Sequence, residues 1–361
     1  MQLREPDRHF RLTPEDIALL NPNTKTCPVF RSKRDCELTK AIYRRVPVWV
    51  DETKGAESNP WGFQGLLMFM MNTASGLFHT TAAPGLVALY EGKMFQAYDH
   101  RAASVETVLA NLKRPGQPRE VTLDDHKKPA FFPMPQYWIA TAAVEARLLT
   151  RWKRDWLLAF KRITSATNER TAVFTVLPRV GVGDNAPLIF LRHDLQPTLV
   201  SCLIANINSF VFDFVARQKL GGNNMSFFIV NQLPCLPPAA YSYADAAYTT
   251  LRVLELIYTA WDMEPFARDL AYDGPPFPWD EERRFRLRCE LDAYYFHLYR
   301  IGRDDVDYIM DTFPIVKRKD EARYGEYRTK RVILEVYDAL ATEMDPPLRR
   351  VAEGRVAYGA S

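Results

Sequence analysis

From Pro197 onward, Leu199, Leu203, Ile204, Ile207, Phe210, Val211, Phe214 and Val215 recur at three- and four-residue spacing, as one buried helical face requires. The helix predicted there closes on Arg217 and Lys219, cations that suit its negative end, and Gly221-Gly222 can take positive φ to stop it. Asn223, Asn224 and Ser226 then crowd hydrogen-bonding groups into a stretch with little to bury, and Phe227-Phe228-Ile229-Val230 reads as an apolar strand closed by Pro234. A loop of this kind suits polar recognition. The same pattern also fits an ordinary glycine-terminated helix followed by a turn.

The remaining elements frame this loop. Thr13-Pro14-Glu15-Asp16 carries the cap, first-turn proline and acids of a helix start, and Asn21-Pro22-Asn23 ends that helix. A second helix runs from about Ser32 to Tyr43, and Val46 to Val50 reads as a strand. Trp61, Phe63 and Met68 to Met71 are core-like in density, Val87 to Met94 is a strand running into a helix, and the proline-rich stretch 111–136 is a loop. Arg147 to Arg162 is read as a basic helix with Trp152 and Trp156 at i, i+4 spacing, followed by a polar turn around Asn168 and a strand from Ala172 to Leu177 closed by Pro178-Arg179. Beyond Pro237-Pro238 the pattern becomes helical with little strand signal. There, Leu251, Leu254, Ile257, Tyr258 and Trp261 form one stripe. A helix begins at Asp280-Glu281-Glu282, with Arg283, Arg284, Arg286 and Arg288 placed on its outside. Two last helices, Asp304 to Phe313 and Arg328 to Met344, flank a charged, exposed connector.

Composition narrows the function classes only a little. The chain has 361 residues, 47% hydrophobic and 25% charged, enough for two or three cores, and a formal net charge of +3. A polyanion surface must therefore come from local clusters, such as Arg31 to Arg45 or Arg147 to Arg162, each of which a solvated charged face explains equally well. Five cysteines without a CxxC pair read as reduced thiols of a cytoplasmic protein. The start of the chain lacks an apolar signal-peptide core, and polar residues and Pro84 interrupt the uncharged run Gly65 to Tyr90, so no membrane partner is expected. Six scattered histidines offer no HExxH pair, and the acidic residues do not pattern as a metal-dependent nuclease. His100 and His193 read as structural.

Four stretches carry a resemblance: Asn21 to Val46 (NPNTKTCPVFRSKRDCELTKAIYRRV), Asn168 to Pro178 (NERTAVFTVLP), Arg217 to Pro234 (RQKLGGNNMSFFIVNQLP) and Asp307 to Arg331 (DYIMDTFPIVKRKDEARYGEYRTKR). Together they resemble the non-catalytic, C-terminal half of large γ-class adenine-N6 DNA methyltransferases of restriction-modification and DISARM-type phage-defence systems. The resemblance implies an α+β fold, a mixed α/β target-recognition lobe followed by a helical C-terminal region. It divides the chain into a helical lead over 1–50, the recognition domain over 51–240 and helices over 241–361. It also implies double-stranded DNA as partner, with a methyltransferase catalytic subunit or other defence proteins beside it.

The family's catalytic half binds S-adenosylmethionine and holds the flipped adenine on an Asn-Pro-Pro-aromatic motif, and neither feature is present here. Asp345-Pro346-Pro347-Leu348, Asn59-Pro60-Trp61 and Gly181-Val182-Gly183 are incomplete matches to these motifs. The expectation is a specificity part that is inactive alone and holds no cofactor itself, S-adenosylmethionine belonging to a catalytic partner or upstream domain. Asn and Arg read adenine and guanine edges bidentately. Asn168, Arg170, Gln218, Asn223 and Asn224 are thus the candidates for base edges, and Arg179, Arg217, Lys219, Gly221, Gly222 and Ser226 complete the candidate DNA-binding set. A protein-docking subunit, using the Arg283 to Arg288 face, is the alternative.

Overall fold

The computed structural model describes residues 11–107 and 116–344. The lead consists of α1 (Pro14–Leu20), started by the expected Thr13 cap, and α2 (Lys33–Arg45), capped by Ser32. Thr13 Oγ1 accepts the Asp16 N–H at 3.2 Å while Asp16 returns a bond to Thr13 N, and Ser32 Oγ accepts the Asp35 N–H at 3.1 Å. Such caps satisfy N–H groups that the first helical turn leaves open.

The middle of the chain builds small sheets from β1 (Gln64–Leu66), β2 (Leu86–Tyr90), β3 (Ala103–Thr107), β4 (Gly116–Glu120), β5 (Tyr137–Ala140), β6 (Trp156–Phe160), β7 (Phe174–Pro178), β8 (Gly181–Val182) and β9 (Leu188–Phe190). Two short helices, α3 (Leu123–His126) and α4 (Thr141–Leu148), interrupt the series. One sheet has the order β1-β9-β6-β7, another β5-β2-β8, and β3 pairs with β4. Every residue of β6, β7 and β9 is buried, which accounts for their continuous apolar runs.

The apolar stripe from Pro197 forms two helices, α5 (Pro197–Asn208) and α6 (Phe210–Lys219), bent by 55°. Ser209 makes the break: its Oγ donates to Asn206 O at 2.7 Å, ending one helix, and accepts the Phe212 N–H at 3.3 Å, starting the next. Periodicity could not show it, because both helices are buried nearly all round. No single helix among the described residues is long and apolar enough to cross a membrane. A short helix α7 (Phe227–Val230) follows, then α8 (Tyr243–Ile257), α9 (Glu264–Asp269), α10 (Glu281–Leu298), α11 (Arg303–Asp311), α12 (Pro314–Tyr324) and α13 (Arg328–Met344). The fold is α+β with a helical C-terminal region. One apolar cluster extends from Leu20 to Leu340, through all three segments expected from the sequence.

Several local expectations are corrected. Trp152 and Trp156 do not share a helix: Trp152 lies in the turn after α4 and Trp156 opens β6, yet their rings meet edge to face at 5.2 Å. Phe227 to Val230 is helical rather than extended, with the Ile229 and Val230 N–H groups donating back to Ser226 O and the following Asn231 N–H to Phe227 O. Val46 to Val50 makes a single bridge, Val48 to Pro234, and the 111–136 stretch contains β4 and α3. Arg284 is buried, donating to Leu256 O and Tyr98 O, instead of lying on the outside of α10. Most of the charged connector before Arg328 is the helix α12.

Candidate nucleic-acid interface

Two polar loops converge at one place. The first follows β6 and runs from Lys161 to Thr171; the second joins α6 to α7. Met225 N–H donates to Arg162 O at 2.8 Å, Thr164 N–H donates to Asn223 O at 3.2 Å, and Ile163 bridges Asn224 in antiparallel fashion. Arg162 Nε donates to Asn224 Oδ1 at 3.1 Å while its Nη1 reaches Asp184 Oδ2 at 3.0 Å. The sequence reading missed Arg162, Ile163 and Thr164 as the strip that holds the second loop.

Below the tips is a rigid foot. Asp213, fully buried, accepts Arg170 Nε at 2.6 Å and the N–H groups of Thr171 and Ala172 at 3.1 Å. Arg217, also buried, donates to Asn168 O at 2.6 Å, Glu169 O at 2.7 Å and Thr312 O at 3.3 Å. Both arginines stack on phenylalanine, Arg170 over Phe210 at 4.1 Å and Arg217 over Phe313 at 4.0 Å. Desolvation lowers the Arg217 pKa; for Arg170 desolvation acts the same way, but the facing Asp213 and Asp292 outweigh it and the pKa rises. The signal for this foot was Asp213, the one carboxylate in the apolar run Phe210-Val211-Phe212-Asp213-Phe214-Val215.

The candidate residues thus divide. Gly221, Gly222, Asn223 and Asn224 are exposed at the tip, and no heavy atom stands within 4 Å of a Cβ built on either glycine. Neither glycine has positive φ; α6 ends on Leu220 at φ −83°. Asn168 is exposed on the neighbouring loop, its Nδ2 3.5 Å from Thr164 Oγ1. Ser226 is partly covered, its Oγ enclosed without a hydrogen-bond partner among the described residues. Arg170, Arg217 and Gln218 point inward, the two arginines bonded to internal partners, although Arg217 Nε has no hydrogen-bond partner among the described residues. Lys219 is also internal, donating to Leu20 O and Asn21 Oδ1, and burial pushes it down to about 7. Arg179 lies at the far end of β7 from the Asn168 turn, roughly 16 Å of extended strand away. Its guanidinium grips Glu145 with two bonds of 2.8 and 2.7 Å. It does not share the surface of the two loops.

The four stretches that carry the resemblance meet around this foot. Lys219 binds the carbonyl of Leu20 and the side chain of Asn21, Thr24 N–H donates to Gln232 Oε1 at 3.3 Å, and Arg217 reaches Thr312. On the far side of α2, Tyr308 OH lies 3.0 Å from Ser32 Oγ and donates to Asp35 at 2.9 Å. Beside the tip is a recess of about 440 Å³ that includes Thr24, Thr26, Arg31, Ala166, Gly221 and Phe228 in its wall. Phe228 and Ile163 are 59% and 63% exposed, so apolar faces flank the amides. Lys25, Arg31 and Lys33 are exposed and make no ion pair among the described residues.

The incomplete catalytic motifs have structural explanations where they are described. Asn59 closes its own turn, accepting the Phe63 N–H at 2.8 Å and donating to Phe63 O at 3.1 Å. Gly181 belongs to β8, where a Cβ would come within 2.4 Å of Ile139. Asp345 to Leu348 lies outside the described residues. Among the described residues no group of His, Cys, Asp and Glu could hold a metal ion. No protein-family model matches the chain, and no curated protein matches it.

Proposed function

We propose that the chain recognises duplex DNA as the specificity part of a site-specific adenine-N6 methyltransferase of a restriction-modification or phage-defence system, its catalytic and S-adenosylmethionine-binding part lying in a partner or upstream domain. The observation that supports this reading best is the pairing of the two polar loops, which presents Asn168, Asn223 and Asn224 on one surface above a foot of buried arginines. Asparagine amides offer a donor and an acceptor side by side, the pattern that an adenine edge complements in the major groove; Asn224 spends its Oδ1 on Arg162, which leaves its NH2 to donate. The glycines before Asn223 leave room for a backbone or base edge to approach closely. Lys25, Arg31 and Lys33 would meet phosphates beside them and set the register. Ile163 and Phe228 would supply apolar contact to a thymine methyl or sugar.

Selection of bound duplexes from a randomised pool, with the purified chain at two salt concentrations and no cofactor, tests the reading. Enrichment of an adenine-containing site is expected, with binding that weakens steeply as salt rises. The combined Asn223→Ala, Asn224→Ala variant should retain salt-sensitive binding and lose the enrichment. Failure of the native chain to bind duplex, or enrichment that survives in the variant, would refute it.

A further inference from the structure

A second recess lies between the α/β lobe and the C-terminal helices and shares Asn168 with the surface proposed to meet duplex DNA. It measures about 500 Å³, within the range of small-molecule sites. The lobe contributes Lys161 and Val173, and α10 contributes Phe285 and Arg288. Neither cation makes a direct ion pair among the described residues, although Asp99 acts on Lys161 and Asp292 on Arg288 through space. Lys161 makes no ion pair, and its Nζ sits 5.9 Å above the ring of the fully buried Phe95. Arg288, exposed on α10, makes neither an ion pair nor a hydrogen bond among the described residues. Of the acids in the same wall, Glu169 takes Lys319 at 2.5 Å, while Asp292 accepts the Phe210 N–H at 2.7 Å and faces Arg170 and Arg288 electrostatically. Arg170, the third cation of the recess, is neutralised by Asp213 at 2.6 Å. The recess therefore sets three cations against two acids, with Lys161 and Arg288 free of direct ion pairs, over a partly apolar floor. Thr164, Asn168 and Thr329 add neutral hydrogen-bonding groups to its rim.

We propose that this recess is a phosphate-binding site for a nucleotide-sized anion, the phosphate held between Lys161 and Arg288 and the organic part set against Val173 and Phe285. Burial lowers Lys161 to about 8. An ammonium so poorly solvated gains from an anion that restores its lost solvation, and a guanidinium suits a phosphate's planar pair of oxygens. The phosphate can come from a free nucleotide or from a DNA strand. Because Lys161 and Asn168 belong to the same loop, either ligand would tie that loop to α10.

Calorimetric titration of the full chain with adenosine 5′-monophosphate and with inorganic pyrophosphate tests the site. One saturable event at millimolar probe or below is expected. Arg288→Gln should weaken it at least tenfold, and so should Lys161→Met. Arg286→Gln, which alters the same helix at an exposed position, should leave it unchanged. Arg288 is exposed, so its substitution reads the site even if Lys161→Met disturbs folding. Competition of a short duplex with the nucleotide, lost in Arg288→Gln, would identify the source as a DNA phosphate; nucleotide binding that duplex does not displace would identify a free nucleotide. No saturable binding of either probe, or binding that both substitutions leave intact, overturns the proposal. That result would leave the reading at the Asn223–Asn224 tip standing, since of the three proposed base-reading amides only Asn168 lines this recess.

Discussion

Replacing Asp213 by asparagine strikes the carboxylate from which the turn Asn168 to Thr171 hangs. The side chain is fully buried and accepts four hydrogen bonds, with Oδ2 facing Arg170 Nε at 2.6 Å and Oδ1 taking the Ala172 N–H at 3.1 Å. Asparagine keeps the shape and one acceptor, but its NH2 must then face either a guanidinium or a backbone N–H, and Arg170 loses its contacting counter-charge and keeps only Asp292, which does not touch it. Breaking a buried pair from one side costs about 3–5 kcal/mol, because the remaining charge stays desolvated. With about 2.1 cal/mol/K of unfolding entropy per residue, a chain of 361 residues melting as one unit shifts by about 1.3 °C per kcal/mol. The expected fall in Tm is therefore about 4–7 °C, read by differential scanning calorimetry. Arg170→Gln removes the other partner, and the double variant should be more stable than the sum of the two singles by at least about 1 kcal/mol. A Tm drop under about 1 °C for Asp213→Asn, or strict additivity in the double variant, would refute the assignment of Arg170 to the foot and return it to the surface as a base reader.

Gly62 has φ +63°, and a Cβ there would stand 2.9 Å from the backbone N of Arg192; Gly62→Ala should lower stability to urea by more than about 2 kcal/mol, since strain and clash add. Burial raises Asp292 to about 6, so between about pH 4 and 6 the folded chain binds a proton that the unfolded chain has released, and stability falls as pH rises through that window. Asp292→Asn keeps the acceptor for Phe210 N–H and removes the penalty, so its stability relative to the native chain should grow by roughly 1–3 kcal/mol between pH 4 and 7 in urea titrations. Lys219 is held by Leu20 O and Asn21 Oδ1, so Lys219→Met should leave the salt slope of duplex binding unchanged, whereas Arg31→Gln should flatten it by about 0.9 for one phosphate contact.

Helix boundaries were legible wherever a cap was written into a short motif. Thr13 with Asp16, Ser32 with Asp35 and Asp280 with Arg283 all close as local chemistry dictates. Less legible was any element whose apolar residues face inward on all sides. The run Phe227 to Val230 satisfies strand and helix equally, and contacts from outside settle the matter: Trp49 N–H to Leu233 O and Cys235 N–H to Pro47 O pin the chain that follows, and Met225 N–H to Arg162 O the chain that precedes. The pair Trp152 and Trp156 shows why i, i+4 spacing misleads. Trp152 Nε1 donates to Trp156 O across a turn, bringing the rings together as a helix would.

Arginine is the residue whose role the sequence disguised most. Arg170, Arg217 and Arg284 are spelled no differently from Arg31 or Arg288, yet the first three spend their donors on buried carbonyls and one carboxylate. What separates them is the neighbourhood. Arg217 lies one turn after Asp213 on a helix otherwise apolar, and an isolated carboxylate in such a run needs a cation to be buried at all. The same network accounts for the contrast between foot and tip. Carbonyls of Asn168 and Glu169 are fixed by Arg217 and the following N–H groups by Asp213, so the turn enters the surface with its backbone already set. Side-chain amides carried on a fixed backbone lose less freedom on meeting a ligand than those on a mobile loop. On the proposed reading, costly buried charge beneath exposed asparagines is what a preorganised reading surface requires, and the inward-facing arginines would matter to recognition without touching DNA.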